Sequence, residues 1–235
     1  RCVILDADLG LANVDVVLGL TPEKNLFHVF NEGVSLSDIL HPTGYGFSIL
    51  PAASGVSGML SLSTGQKLEL LEAMDVLEDS VDFLIVDTGA GINDNVLYFN
   101  LAVQDRLLVI TPEPTSLTDA YALIKVLKLR HGIDSFHILV NMAGSDKAAR
   151  EIFAKLCNAC DHFLGGISLD FVGTIPQDQT VRQAVIRQQP FCSLNPEAEA
   201  SKAMAAVARK LAQWKPQDHL DGNIKFFWKK LLFAE

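Results

Sequence analysis

Short apolar runs that each stop at a polar or turn residue recur along the chain: Cys2–Leu5, Phe47–Leu50, Phe83–Val86, Leu107–Ile110, Phe136–Val140 and Phe171–Ile175. Their hydrophobicity is continuous rather than alternating, which predicts strands buried on both faces. Segments of helical period lie between several of them. Leu68, Leu71, Met74, Val76 and Leu77 form one apolar set; Ala120, Leu123, Ile124, Leu127 and Leu129 form another. Alternation of strand and helix predicts right-handed crossovers and an α/β fold, a mostly parallel sheet with helices on both faces.

Sheets of this kind bind ligands beyond the carboxyl ends of their strands. Those ends read Asp6-Ala-Asp8, Asp87-Thr-Gly-Ala-Gly91, Thr111-Pro-Glu-Pro-Thr115, Asn141-Met142 and Pro176-Gln-Asp178. One aspartate after an apolar run is ordinarily a helix cap or a loop residue. Two at comparable positions, Asp6 and Asp87, the second followed by a glycine-rich turn, point instead to magnesium and phosphate chemistry, because Mg²⁺ prefers carboxylate, water and phosphate oxygens. Gly89 and Gly91 let the backbone turn tightly and bring amides close to an anion. Asp6 and Asp8 alternate along an extended backbone, so one can face a metal and the other a water.

Composition narrows the class. The chain has 235 residues, 49% hydrophobic and 20% charged, with 16 Gly and 9 Pro, which excludes a disordered chain, a collagen-like fibre and a coiled coil. No apolar run approaches the ~18 residues of a membrane span, and the first residues lack a secretory signal. These features predict a soluble, cytoplasmic protein. Its 19 Lys+Arg against 28 Asp+Glu give a net charge of −9, which disfavours direct nucleic-acid binding through phosphates. Cys157 and Cys160 are the only close pair among 4 cysteines. No second pair completes a zinc site, and the Ala149–Leu156 pattern places both thiols on a helix. His28, His41, His131, His137, His162 and His219 are scattered without metal-ligand spacing. Neither G-x-S-x-G nor a complete G-x-G-x-x-G is present, so a hydrolase triad and a dinucleotide fingerprint both lack their motif.

The residues around the strand ends resemble a known family. Val3-Ile-Leu-Asp-Ala-Asp-Leu-Gly-Leu-Ala-Asn-Val-Asp15, with Val17-Leu-Gly-Leu20, is similar to the switch I region of MinD/ParA-type ATPases. Leu84-Ile-Val-Asp-Thr-Gly-Ala-Gly-Ile92 resembles their Walker B strand and switch II, and Glu113–Lys125, Asn141-Met142 and Gly173–Asp178 extend the likeness over nearly the whole chain. The wording Pro114-Thr-Ser-Leu-Thr-Asp-Ala-Tyr-Ala-Leu-Ile-Lys125 resembles the FlhG/FleN branch, regulators of flagellar number and placement. The resemblance implies ATP and Mg²⁺ as cofactors. It makes Asp8 the residue that orients the attacking water, Asp6 and Asp87 the carboxylates that hold Mg²⁺ mainly through its waters, and Gly89 a backbone amide near the γ-phosphate. Asn141 would read adenine, with Pro176 and Asp178 on the adenine-side loop; Glu113, Thr115 and Asp119 would lie near a homodimer interface. Asn141 could instead cap a turn, Asp119 the helix beginning at Ala120, and Asp178 could serve backbone donors in its own loop.

One departure from the family pattern is large. The sequence holds no G-x-x-x-x-G-K-[ST], the P-loop that cradles the phosphates. The expectation is an N-terminally truncated chain lacking the first strand, P-loop and first helix, inactive by itself; the rival is a noncatalytic binding module that lost the loop. Other rivals are a cell-division-site MinD and, less compatible with the acidic charge, a ParA-type DNA segregator.

The carboxyl-terminal end has its own composition. Residues 1–214 read as the ATPase domain, 215–222 as a linker and 223–235 as an amphipathic helix. At 100° per residue Ile224, Phe227, Trp228, Leu231 and Leu232 share one face, flanked by Lys225 and Lys229. An aromatic, basic face suits anionic inner-membrane lipid, although an apolar helix face also packs readily on its own domain. The resemblance implies reversible attachment to the inner face of the cell membrane. It also implies as partners the flagellar GTPase FlhF, flagellar switch components and a flagellar transcription activator.

Overall fold

The structure is a computed structural model of the 235-residue chain and describes residues 1–8, 13–51 and 81–214. The Leu68–Leu77 apolar set, the linker 215–222 and the helix 223–235 lie outside those residues. Among the described residues two compact units are present, one from Arg1–Gly89 and Asn93–Gln104, the other from Ala90–Ile92 and from Asp105 to Trp214.

In the first unit, β1 (Cys2–Asp6) pairs in parallel with β3 (Ser48–Leu50) on one side and β4 (Phe83–Asp87) on the other. β2 (His41–Pro42) adds an antiparallel edge to β3, a strand too short to leave an apolar run in the sequence. The helices are α1 (Val14–Val17), α2 (Leu26–Glu32), α3 (Leu36–Ile39) and α4 (Asp94–Ala102). Ser35 caps α3 by accepting from the Asp38 N–H, and Asn93 caps α4 by accepting from the Val96 N–H. Successive strand side chains face opposite ways. Val3 and Leu5 enter a core with Leu26, Leu36, Ile39, Leu50, Phe99 and Ala102, against which Leu84 and Val86 pack.

The opposite face of β1 and β4 corrects the expectation of burial on both sides. Phe83 is 44% exposed and Ile85 49%. Among the described residues β4 is the edge of its sheet, and the described core of the unit gathers on the Val3–Leu5 face. An apolar run records that a strand is hydrophobic on both faces, not that both are covered.

The second unit is an all-parallel sheet in the order β5 (Leu107–Ile110), β6 (Ser135–Ala143), β7 (Ser168–Pro176). Its helices are α5 (Pro114–His131), α6 (Asp146–Phe163), α7 (Gln179–Ile186), α8 (Phe191–Leu194) and α9 (Glu199–Leu211). Leu139, Val172, Ile175, Ala200 and Val207 form one core on the α9 side. Val109 of the edge strand β5 is 55% exposed, a second departure from two-sided burial. α5 begins at Pro114, whose fixed φ suits the first helical turn, and ends at Gly132 in the left-handed region (φ 71°), whose N–H donates to the Lys128 carbonyl. Asp119 therefore lies inside a helix and does not cap one. Leu129 is 66% exposed, because 200° separates it from buried Leu127 on the same wheel. Cys157 and Cys160 do fall within α6. Burial, with the neighbouring Cys157 and Asp161, pushes the Cys160 thiol up to about 11.

Candidate functional site

β1 and β4 are in register along their whole length, so Asp6 stands directly opposite Asp87 at their carboxyl ends. Both belong to the face that carries Cys2, Ile4, Phe83 and Ile85. Asp6 is 5% exposed and its carboxylate is heavily committed. Oδ1 accepts from the Asp8 N–H at 3.3 Å, and Oδ2 accepts from the N–H groups of Asn13 at 3.0 Å and Val14 at 3.1 Å. These bonds tie the end of β1 to the backbone of Asp8, Asn13 and Val14. The Ala7 N–H donates to the Asp87 carbonyl at 2.8 Å, tying the two strand ends together one residue further on.

Gly89 completes the group. A methyl at its Cα would meet Asp8 Oδ2 at 3.0 Å and Cγ at 3.1 Å, so the Asp8 carboxylate lies directly against the glycine backbone. Asp6, Asp8, Asp87 and Gly89 are thus brought together, although more than 70 residues separate the two strands in sequence. Asn13 and Val14 enter the site through their backbone N–H groups, a role that side-chain pattern does not mark.

Three carboxylates on one strand end repel one another. Burial raises the Asp87 pKa first, and the charges of Asp6 and Asp8 raise it further. Burial likewise raises Asp6, against the lowering effect of its three backbone hydrogen bonds. A divalent cation removes this repulsion. Mg²⁺ needs few protein carboxylates, because it keeps waters and takes phosphate oxygens as its other ligands. The donor set therefore fits a hydrated magnesium carried with a nucleotide.

The shifted carboxyls make a stability prediction. An acid whose folded pKa is raised contributes stability in full below its unfolded pKa, about 3.8–4 for Asp, and loses that contribution as pH rises through the folded value. Asp87→Asn removes the loss. At pH 7 without nucleotide or Mg²⁺ the variant is expected to melt above wild type, with the difference shrinking toward about pH 4. Scanning calorimetry across that range checks it; a variant that melts lower at pH 7 would show that the crowding costs nothing.

At the carboxyl end of the second unit's sheet, Asn141 of β6, Pro176 of β7 and Asp178 occupy one end, with Ala143 paired to Pro176. Asn141 Oδ1 accepts from the Met142 N–H at 2.9 Å, and Met142 takes a left-handed φ of 56°. Asp178 caps α7 by accepting from the Thr180 N–H at 2.8 Å, and its other oxygen accepts from the Ala200 N–H at 3.2 Å. These bonds hold the Asp178 carboxyl below the usual range. Asp178 thus serves backbone donors of its own loop and of Ala200, whereas Asn141 lies inside β6 and meets the N–H of its neighbour. Glu113, Thr115 and Asp119 are exposed on the first turns of α5. Glu113 is the N-cap residue, and a hydrogen bond from the Thr111 side chain lowers its pKa. Thr115 and Asp119, four residues apart, share a helix face.

Solved structures share this architecture. The cell-division ATPase MinD of Pyrococcus furiosus matches with a TM-score of 0.66 at 24% identity over 90% of this chain and 85% of that one. The septum site-determining protein MinD of Pyrococcus horikoshii, complexed with Mg-ADP, matches at 0.67 and 22% identity over 91% and 84%. They show the same fold, an α/β arrangement of mostly parallel sheets and helices. The ParA family model, described as NUBPL iron-transfer P-loop NTPase, matches residues 65–212. Antiactivator FleN of Pseudomonas aeruginosa is 46% identical over 99% of this chain and 82% of its own length. The flagellum site-determining protein YlxH of Helicobacter pylori is 27% identical over 97% and 78%. The chain belongs to the MinD/ParA family of P-loop NTPases.

Proposed function

We propose that this protein is an ATP-hydrolysing switch of the FleN/FlhG kind, which controls flagellar number and placement by dimerising on ATP and binding the membrane. The observation that carries the reading is the meeting of Asp6, Asp8, Asp87 and Gly89 at one strand end. Asp87 and Asp6 hold the hydrated magnesium, whose charge offsets that of the phosphates. Asp8 orients the attacking water, and the Gly89 amide approaches the γ-phosphate. Positioning and fixed charge of this kind supply most of what phosphoryl transfer asks of a protein. Asn141, Pro176 and Asp178 serve the adenine side, and Glu113, Thr115 and Asp119 face a second copy.

The 46% identity to FleN favours a flagellar role over a septal one, since Escherichia coli MinD is 24% identical. By the same reading the protein is cytoplasmic and reversibly membrane-bound. Its partners are FlhF, flagellar switch components, a flagellar transcription activator and anionic lipid. Pairing two weak amphipathic helices in a dimer multiplies their attachment without new contacts. Co-sedimentation of the full-length protein with anionic vesicles tests this. Deleting residues 223–235 is expected to lower the ATP-dependent bound fraction at least about tenfold; nucleotide-dependent binding that survives the deletion would assign the tail another role.

A further inference from the structure

His137 lies on β6 between two buried residues, Phe136 and Ile138. Register sets it beside Leu107 of β5 and Asp170 of β7, and its backbone N–H donates to the Arg106 carbonyl at 2.9 Å. Both ring nitrogens face carboxylates. Nδ1 is 3.2 Å from Asp170 Oδ2, and Nε2 is 3.6 Å from Asp105 Oδ1. The ring stacks on the Trp214 indole, with centroids 3.9 Å apart and planes at 29°.

Hydrogen-bond stoichiometry decides what this arrangement favours. Ionised carboxylates only accept, and a neutral imidazole carries a single N–H, so it serves one aspartate and turns a lone pair toward the other. The imidazolium donates at both nitrogens, and its charge is also attracted to the indole face. All three contacts therefore strengthen when the ring takes up a proton. The remaining charged groups on the neighbouring elements are few. Arg106, mostly buried beside Asp105, shares that carboxylate's field. On α9, the Lys210 ammonium donates to the Val172 carbonyl, Lys202 pairs with Glu197 at 3.2 Å, and Arg209 is exposed. Arg150 of α6 lies over Phe171, which strand alternation puts on the other face.

Trp214 follows the last turn of α9 and packs on the core of Leu139, Val172 and Val207. We propose that His137, with Asp105 and Asp170, forms a pH-sensitive clasp on Trp214 that tightens on protonation and sets how firmly the end of α9 is held. The clasp sits toward the start of β6, away from Asn141, so it acts on the end of α9 rather than on the strand ends.

The test uses the full 235-residue chain with Trp228→Phe, which leaves Trp214 as the sole tryptophan of the 2. Amide exchange is followed at Ala212, Gln213 and Trp214, whose N–H groups donate to Ala208, Lys210 and Leu211 carbonyls, and is expressed as protection factors at each pH. Protection is expected to rise roughly three- to tenfold from pH 8 to pH 6, with quenching of Trp214 emission over the same range. His137→Gln keeps a hydrogen-bonding side chain without the charge and is expected to remove both responses, while β6 amides stay protected. Asp105→Asn and Asp170→Asn are each expected to reduce the rise. Protection independent of pH in the parent chain, or an equal rise in His137→Gln, overturns the clasp. Should His137→Gln fail to fold, an undiminished rise in both aspartate variants overturns it equally.

Discussion

Replacing Asp8 with Ala is expected to lower ATP turnover by about a hundredfold while nucleotide affinity stays within about threefold. The asymmetry follows from where the residue stands. Its N–H is held by Asp6 Oδ1 at 3.3 Å, and its carboxylate rests against the Gly89 backbone. It makes no part of the Asp6–Asp87 register pair. A group that orients a water contributes to the transition state and not to ground-state binding, so the loss appears in kcat. Phosphate release under saturating ATP, with affinity measured separately by calorimetry on the full-length protein, separates the two quantities. Unchanged hydrolysis removes Asp8 from the mechanism, and a parallel loss of affinity makes it a structural residue. Asp8→Asn preserves volume and removes the negative charge, and is expected to behave like the alanine variant.

Leu5→Ala is expected to destabilise the protein by about 3 kcal/mol. Leu5 is fully buried, one residue before Asp6, in register with Leu50 and Val86 and packed with Leu26, Leu36, Ile39 and Phe99. Strands on both sides hold those neighbours in place, so the cavity closes poorly and the contacts are lost outright. Val109→Ala, at an exposed position of β5, is the control and is expected to change stability by no more than about 0.5 kcal/mol. Urea unfolding checks both, through the midpoint at constant slope. A Leu5→Ala shift of less than about 1 kcal/mol would mean that β1 is not locked into this core, and would remove the rigid support assumed for Asp6.

The site was legible to the extent that local pattern marks strand ends. A run such as Leu84-Ile-Val86 becomes a strand because burial is its only favourable use, and the carboxylate after it then falls where ligands bind. Asp6, Asp8, Asp87 and Gly89 were all found that way. The start of α5 was misplaced by six residues because Pro114-Thr-Ser carries no apolar period, although proline at a first helical turn was a readable signal. Leu129 has the chemistry of the buried stripe but not its angle, and is exposed. His137 was passed over, because its partners Asp105, Asp170 and Trp214 lie 32, 33 and 77 positions away and no spacing rule connects them.

By itself the amino-acid order determined which segments become strands, the two-residue β2 apart, that the sheets run mostly parallel, and which side chains close those strands. Period and polarity are properties of neighbours in sequence. The three-dimensional arrangement alone decided that Asp6 faces Asp87, that three backbone N–H groups converge on Asp6, that the Phe83–Ile85 face is open among the described residues, and that Trp214 rests on His137. Register between distant strands is set by how their side chains pack across the sheet, and that packing exists only once the chain has folded.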